Sequence, residues 1–185
     1  RLNVVCNWLL EQVIRIARQL GPGDVWCDAV LKRWLWSPKQ LDLNAFLAND
    51  DLRTGYHLLR WAEDGPAPLA NLCQRFLDRQ LLKASAVEHL SSEQQLEALA
   101  LARRLSEQQG MDAETCCGLR HQQLRGYHPY RGGLRLWDGQ RLLALEQESP
   151  LVQSLTTPAA SAWLIHPREI ETELRSHLGT HGFGA

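Results

Sequence analysis

The sequence predicts an α+β chain: a helical front half, residues 1–90, followed by a small module of helices on an antiparallel sheet, residues 91–185. Three observations predict it. Apolar residues recur at helical spacing from Leu2 to Leu77. Ser91-Ser92-Glu93-Gln94 has the form of a capping box, which opens a new unit. Beyond Gly110 the pattern shortens toward alternation, and Asp138-Gly139 supplies a hairpin turn.

The first helix spans Leu2 to Leu20, with Leu2, Val5, Cys6, Leu9, Val13, Ile16 and Leu20 as its apolar set. Gly21-Pro22-Gly23 stops it, and Asp24 offers an N-cap for a helix running from Val25 to about Trp36. Asp50 or Asp51 caps the next helix, to about Ala62, because a carboxylate accepts from the free amides of a first turn. Glu63 to Pro68 breaks that helix, and Pro68 suits the first turn of another. Its core face is Leu69, Leu72, Cys73, Phe76 and Leu77, and the helical hairpin ends in a basic tip at Arg79 and Lys83.

In the rear module, Ser91 caps a helix whose buried edge is Leu96, Leu99, Ala100 and Leu105, closed by Gly110. Leu134, Leu136 and Leu142 to Leu145 read as short strands, and Pro150 to Leu155 as a short helix. Ala162 to Ile165 is a further strand. Pro167-Arg168-Glu169 then opens a closing helix through Leu178 that buries Ile170 and Leu174, leaving Thr180 to Ala185 as a frayed tail.

Composition narrows the function classes. Twenty Lys and Arg against 21 Asp and Glu leave a formal charge of −1, too balanced for a global field toward nucleic acid or anionic membrane. No apolar run approaches the roughly 20 residues needed to span a bilayer. The five cysteines lack a repeating spacing, and Cys6 and Cys73 read as buried thiols of a reducing, cytoplasmic compartment. No nucleophile elbow, Walker loop or dinucleotide fingerprint is present.

The residues with chemistry to offer are few. Cys116-Cys117 with His121 and His128 lacks the spacing of a zinc site and reads as one buried and one partly exposed thiol. The stretch Arg120 to Arg131 mixes basic and aromatic groups and reads as solvated strand and loop, with single-stranded nucleic acid as the functional alternative. Trp8, Trp26, Trp34 and Trp61 fall at or beside core stripes and serve packing; Trp137, beside a turn, is exposed.

The Asp50-Asp51 start, the Leu58-Leu59-Arg60-Trp61 helix, the proline-rich break and Asp78-Arg79-Gln80-Leu81-Leu82-Lys83 resemble the second half of the HD-domain phosphohydrolases. Within them, the Arg-x-Leu-x-Lys element at Arg79, Leu81 and Lys83 looks like the dGTPase-like branch of deoxynucleoside triphosphate triphosphohydrolases. The resemblance implies that the front half is the remainder of an all-α HD-type domain. The His-Asp dipeptide that names the family is absent, so the divalent metal of the full-length protein is expected to have its ligands outside this chain. A start at Arg1 without Met fits a C-terminal portion whose upstream half is missing. Arg1 would stand at the basic end of the family's Tyr-x-His-basic motif, and Arg1, Arg79 and Lys83 are thereby nominated as regulatory nucleotide contacts, catalytic residues being none. The implied parent reaction is hydrolysis of a deoxynucleoside triphosphate to nucleoside and triphosphate. The expected partners are a nucleotide (dNTP or GTP) at a subunit junction and further copies in a homo-oligomer, with neither membrane nor nucleic acid. The alternatives are a non-catalytic scaffolding module and an RNA-binding accessory domain using Arg120, Arg125 and Arg131.

Overall fold

A computed structural model describes residues 2–124, 133–156 and 159–178. The opening helix, α1 (Leu2–Leu20), has the predicted bounds, but its buried stripe is Val4, Val5, Leu9, Gln12, Val13 and Ala17. Cys6 is therefore only half-buried, while Gln12 tolerates burial because its side-chain oxygen accepts from Arg15 Nε at 2.8 Å. The next helix, α2 (Ala29–Trp36), starts later than predicted. Its cap is Asp28 rather than Asp24, with the carboxylate accepting from the Leu31 N–H at 2.8 Å. A 3-10 turn (Pro38–Gln40) and the short α3 (Leu43–Leu47) make the connection.

Helices α4 (Asp51–Asp64) and α5 (Ala67–Leu77) form the predicted hairpin, with Asp50 as the cap of α4 and proline in the first turn of α5. The basic tip differs from expectation. Helix α5 ends at Leu77, Arg79 takes a left-handed backbone (φ 55°), and Lys83 opens a strand, β1 (Lys83–Ala86). A helix does not continue past a left-handed residue, so Arg79 and Lys83 do not sit together on a helical tip.

The capping box is present: Ser91 and Gln94 satisfy each other's backbone at the start of α6 (Ser92–Gln108). The buried side of α6 is Gln95, Ala98, Ala102, Leu105 and Ser106; Leu96 is 62% exposed. Small residues let α6 approach the sheet closely, and a reading that follows large apolar residues misses that face. After α7 (Ala113–Cys116) come β2 (Gly118–Leu124), β3 (Arg135–Trp137), β4 (Leu142–Ala144), α8 (Leu145–Glu148) and α9 (Pro150–Thr156). The chain then returns as β5 (Ala159–His166), followed by a 3-10 turn (Arg168–Ile170) and α10 (Glu171–Leu178).

Among the described residues β3 and β4 pair as a hairpin, and the main antiparallel sheet has the order β1-β5-β2. The fold class is thus the predicted α+β. Strand β1 comes from the front segment and pairs with β5 of the rear one, Lys83 opposite His166 and Ala86 opposite Trp163. Because side chains alternate along a strand, the sheet has two distinct faces. Ala84, Trp163 and Ile165 pack with Val5, Leu9 and Leu72 in one core, and Ala162 and Leu164 pack with Ala98, Ala102 and Leu174 in a second. Helices α6 and α10 cover one face, and α1 covers the other. No helix is long and apolar enough to cross a membrane among the described residues.

Candidate anion-binding site

Where β1 meets α10, a cavity of about 300 Å³ opens between Leu2 and Val5 of α1, the segment Leu81 to Ser85, and Arg168, Glu171 and Arg175. The sequence brings these together through strand pairing. Lys83 opposes His166, so both project to the same face of the sheet, the face on which α10 lies. Lys83 Nζ stands 3.3 Å from one oxygen of Glu171, and Arg175 Nη2 stands 3.0 Å from the other. Burial pushes the Glu171 carboxyl up, but the hydrogen bond and charge of Lys83 and the charge of Arg175 hold it below the usual carboxylate range. Arg168 is exposed at the mouth and forms no ion pair among the described residues. Two cations thus share one carboxylate, and a third lines the same cavity.

The floor is polar but internally satisfied. His166, fully buried, donates from Nδ1 to the Pro167 carbonyl at 2.8 Å, which leaves Nε2 to accept from the Ser85 hydroxyl at 2.9 Å. Burial pushes the His166 pKa down, although the Pro167 bond and Glu171 act the other way. A neutral imidazole beneath Lys83 adds no repulsion to the cluster.

A second cavity, about 290 Å³, lies between Asn71 and Arg75 of α5 and Met111, Asp112 and Cys116. Its one cation, Arg75, already pairs with Glu169 at 2.9 Å and reaches the Gln80 carbonyl at 3.4 Å. The Lys83 cavity is the better anion receptor.

Among the described residues no group of three or more His, Cys, Asp or Glu could hold a metal ion. The buried histidines are committed elsewhere. His57 Nδ1 donates to the Arg53 carbonyl at 2.8 Å, and its Nε2 accepts from the Asp28 N–H at 3.1 Å. The exposed His121 also has a partner, its Nε2 lying 2.9 Å from Gln95 Oε1. These residues do not fit the divalent metal of an HD centre.

The fold is similar to that of a phosphohydrolase. A crystal structure of a phosphohydrolase from Bacteroides thetaiotaomicron aligns with a TM-score of 0.65 at 15% sequence identity, over 89% of this chain and 44% of that one. The chain therefore spans less than half the length of that neighbour. No protein-family model matches the sequence. No match was found among curated proteins. At 15% identity the likeness is one of fold.

The three nominated residues part company in the structure. Lys83 lies in the cavity. Arg1 lies outside the described residues, although Leu2, the next in the chain, lines the same cavity. Arg79 is exposed and does not line it. Sequence reading missed Arg168, Glu171 and Arg175. The available signal was the i, i+4 spacing of Glu171 and Arg175 on the closing helix; their convergence on Lys83 depends on the β1–β5 pairing.

Other candidates resolve differently. Cys116 and Cys117 are both buried, where one was expected to be partly exposed. Arg120 is held bidentately by Glu11 at 2.6 and 2.8 Å, while Arg125 and Arg131 lie outside the described residues, as does the predicted tail beyond Leu178. Trp8, Trp34, Trp36 and Trp61 donate their indole N–H groups to backbone carbonyls. Trp26 departs from the packing prediction at 44% exposed, with His57 stacked 4.8 Å away and Arg60 5.3 Å over its ring. Trp137 is exposed as predicted.

Proposed function

We propose that this chain is the C-terminal portion of an HD-type phosphohydrolase that cleaves deoxynucleoside triphosphates to nucleoside and triphosphate. These residues complete the wall of the catalytic domain, contribute to a homo-oligomer interface and receive phosphate of a regulatory dNTP or GTP at Lys83, with Arg1 and Arg79 as the further contacts that the family resemblance nominates. The metal ligands and the chemistry belong to residues outside this chain, in a cytoplasmic protein. The observation that carries the reading is the cationic cavity at Lys83, set in a fold similar to a phosphohydrolase over 89% of the chain.

Lys83 supplies a mobile point charge suited to a phosphate oxygen. The subunit-interface part draws support from α4, where Leu52, Tyr56 and Leu59 recur at i, i+4 and i+7 and are all exposed. A neighbouring copy would cover that stripe. The RNA-binding alternative is weakened by the Glu11 carboxylate, which already neutralises Arg120.

Calorimetric titration of the chain with dGTP and GTP tests the reading. Lys83→Ala and Arg79→Ala are expected to weaken binding; unchanged affinity in both retires the regulatory site. The encoded sequence upstream of Arg1 should contain His…His-Asp…Asp, and the 185 residues alone should show no triphosphohydrolase activity with Mg²⁺ or Mn²⁺.

A further inference from the structure

The carboxylate of Glu171 occupies the position that an anionic ligand of the cavity would take. Its two oxygens are divided between Lys83 and Arg175, at 3.3 and 3.0 Å. The Glu171 side chain is largely covered, whereas Lys83 and Arg175 are more open, and Arg168 at the mouth has no ion partner among the described residues. Without a carboxylate there, the cations would repel one another at the end of one strand and one short helix. The opposite wall, Leu2, Val5 and Leu82, offers no polar group from a side chain.

We propose that Glu171 is a built-in competitor for the phosphate group. An incoming polyphosphate takes Lys83 and Arg175 from Glu171, and Arg168 joins them as a third cation. This deepens the nucleotide-site reading and rests on it. Recognition is by charge, because the Ser85 hydroxyl already donates to His166 and so has no proton left for a ligand. A volume of about 300 Å³ is at the small end for a ligand site. It admits a compact phosphate chain while a nucleoside stays outside, so inorganic triphosphate and a nucleoside triphosphate should share the site. Arg175 and Glu171 stand one turn apart on α10, so their ion pair is local to a single helix.

The experiment is calorimetric titration with inorganic triphosphate, and separately with dGTP, of the unsubstituted chain, Glu171→Gln, Arg168→Ala and Arg168→Glu. Circular dichroism checks folding of each. Glu171→Gln keeps the shape of the side chain but removes the competing charge, and is expected to tighten triphosphate binding roughly fivefold, as expected for loss of a partly exposed pair. Arg168→Ala should weaken it by a similar factor, and Arg168→Glu should weaken it further. Arg168 is exposed and without an ion partner among the described residues, so its variants remain informative if Glu171→Gln loosens α10. Equal or weaker triphosphate binding by folded Glu171→Gln overturns the proposal, as does indifference to both Arg168 substitutions. If dGTP binding depends on Lys83 while neither Glu171 nor Arg168 matters, the competitor idea fails and the nucleotide site stands. If neither ligand binds the unsubstituted chain or Glu171→Gln, both fall.

Discussion

The benzo ring of Trp8 fills the space in which any side chain on Gly118 would have to sit. A Cβ built on Gly118 overlaps Cη2, Cζ2 and Cζ3 of that ring. The Trp8 indole N–H also donates to the Thr115 carbonyl at 2.9 Å, pinning α1 to α7, the short helix before β2. Together with the Glu11–Arg120 ion pair, it ties α1 to β2 and the segment before it. Gly118→Ala is therefore expected to cost about 1–3 kcal/mol, the usual range for overpacking. Urea unfolding measures it. In a Trp8→Leu background the same substitution should cost much less, and an equal cost in both backgrounds would show that the ring is not the obstacle.

Arg79 occupies the position after the cap of α5 where glycine is favoured, with φ at 55°. A left-handed backbone penalises any residue with a Cβ, and glycine recovers that at some cost in unfolded-state entropy. Arg79→Gly should stabilise the chain by about 0.5–1 kcal/mol, whereas Arg79→Ala should leave stability nearly unchanged. Matched thermal melts decide it. A melting temperature that falls on Arg79→Gly would mean that the arginine side chain holds the turn by a contact of its own.

Most of the helical framework was legible because each end carries a local signal. Asp50, Ser91 and Gly110 mark helix ends chemically, and α1 was bounded by its own period and by Gly21. The main sheet was only partly legible. Lys83-Ala84-Ser85-Ala86 has no β-branched or aromatic residue, and it is a strand because β5 lies beside it, not because of its own propensity. The site inherits that difficulty. Lys83 could be nominated from a resemblance, but Arg168, Glu171 and Arg175 reach it only through a pairing between residues 83 apart in the chain at Lys83 and His166. Asp24 follows the glycine turn directly, yet the cap of α2 is Asp28. What favours Asp28 is tertiary: Arg53 and His57 of α4 meet it there.

Cys116 and Cys117 are neighbours in sequence that enter different cores. Cys116 packs with Leu72 and Ile165, and Cys117 with Ala98 and Leu174. Burial pushes both thiols up, Cys117 to about 11. A disulfide or a shared metal would need both sulfurs on one side of the sheet. Both thiols should resist a thiol-labelling reagent at neutral pH in the native chain and react fully in denaturant. Rapid native labelling of either, located by peptide mass mapping, would contradict this packing.

His166 sets the first step of acid sensitivity. Burial leads the changes that lower its pKa below 6.5 in the folded chain, so on acidification the unfolded chain takes up a proton first. Its contribution to stability is whole above 6.5 and is lost as pH falls through the folded value. Protonation would also force Nε2 to donate toward a Ser85 hydroxyl that now gives its proton to the ring, and would set a third positive charge beside Lys83 and Arg175. A second, lower window follows from Glu169 and Glu171. Despite burial acting upward, its own backbone N–H and then Arg75 hold the Glu169 carboxyl below 4.5, Lys83 and Arg175 do the same for Glu171, and their contribution is lost as pH falls through the folded values. Urea midpoints measured from pH 8 to 3 should therefore fall in two stages. His166→Gln, which titrates nowhere in this range, should flatten the upper stage and leave the lower one. An unchanged upper stage in that variant would assign it to another histidine.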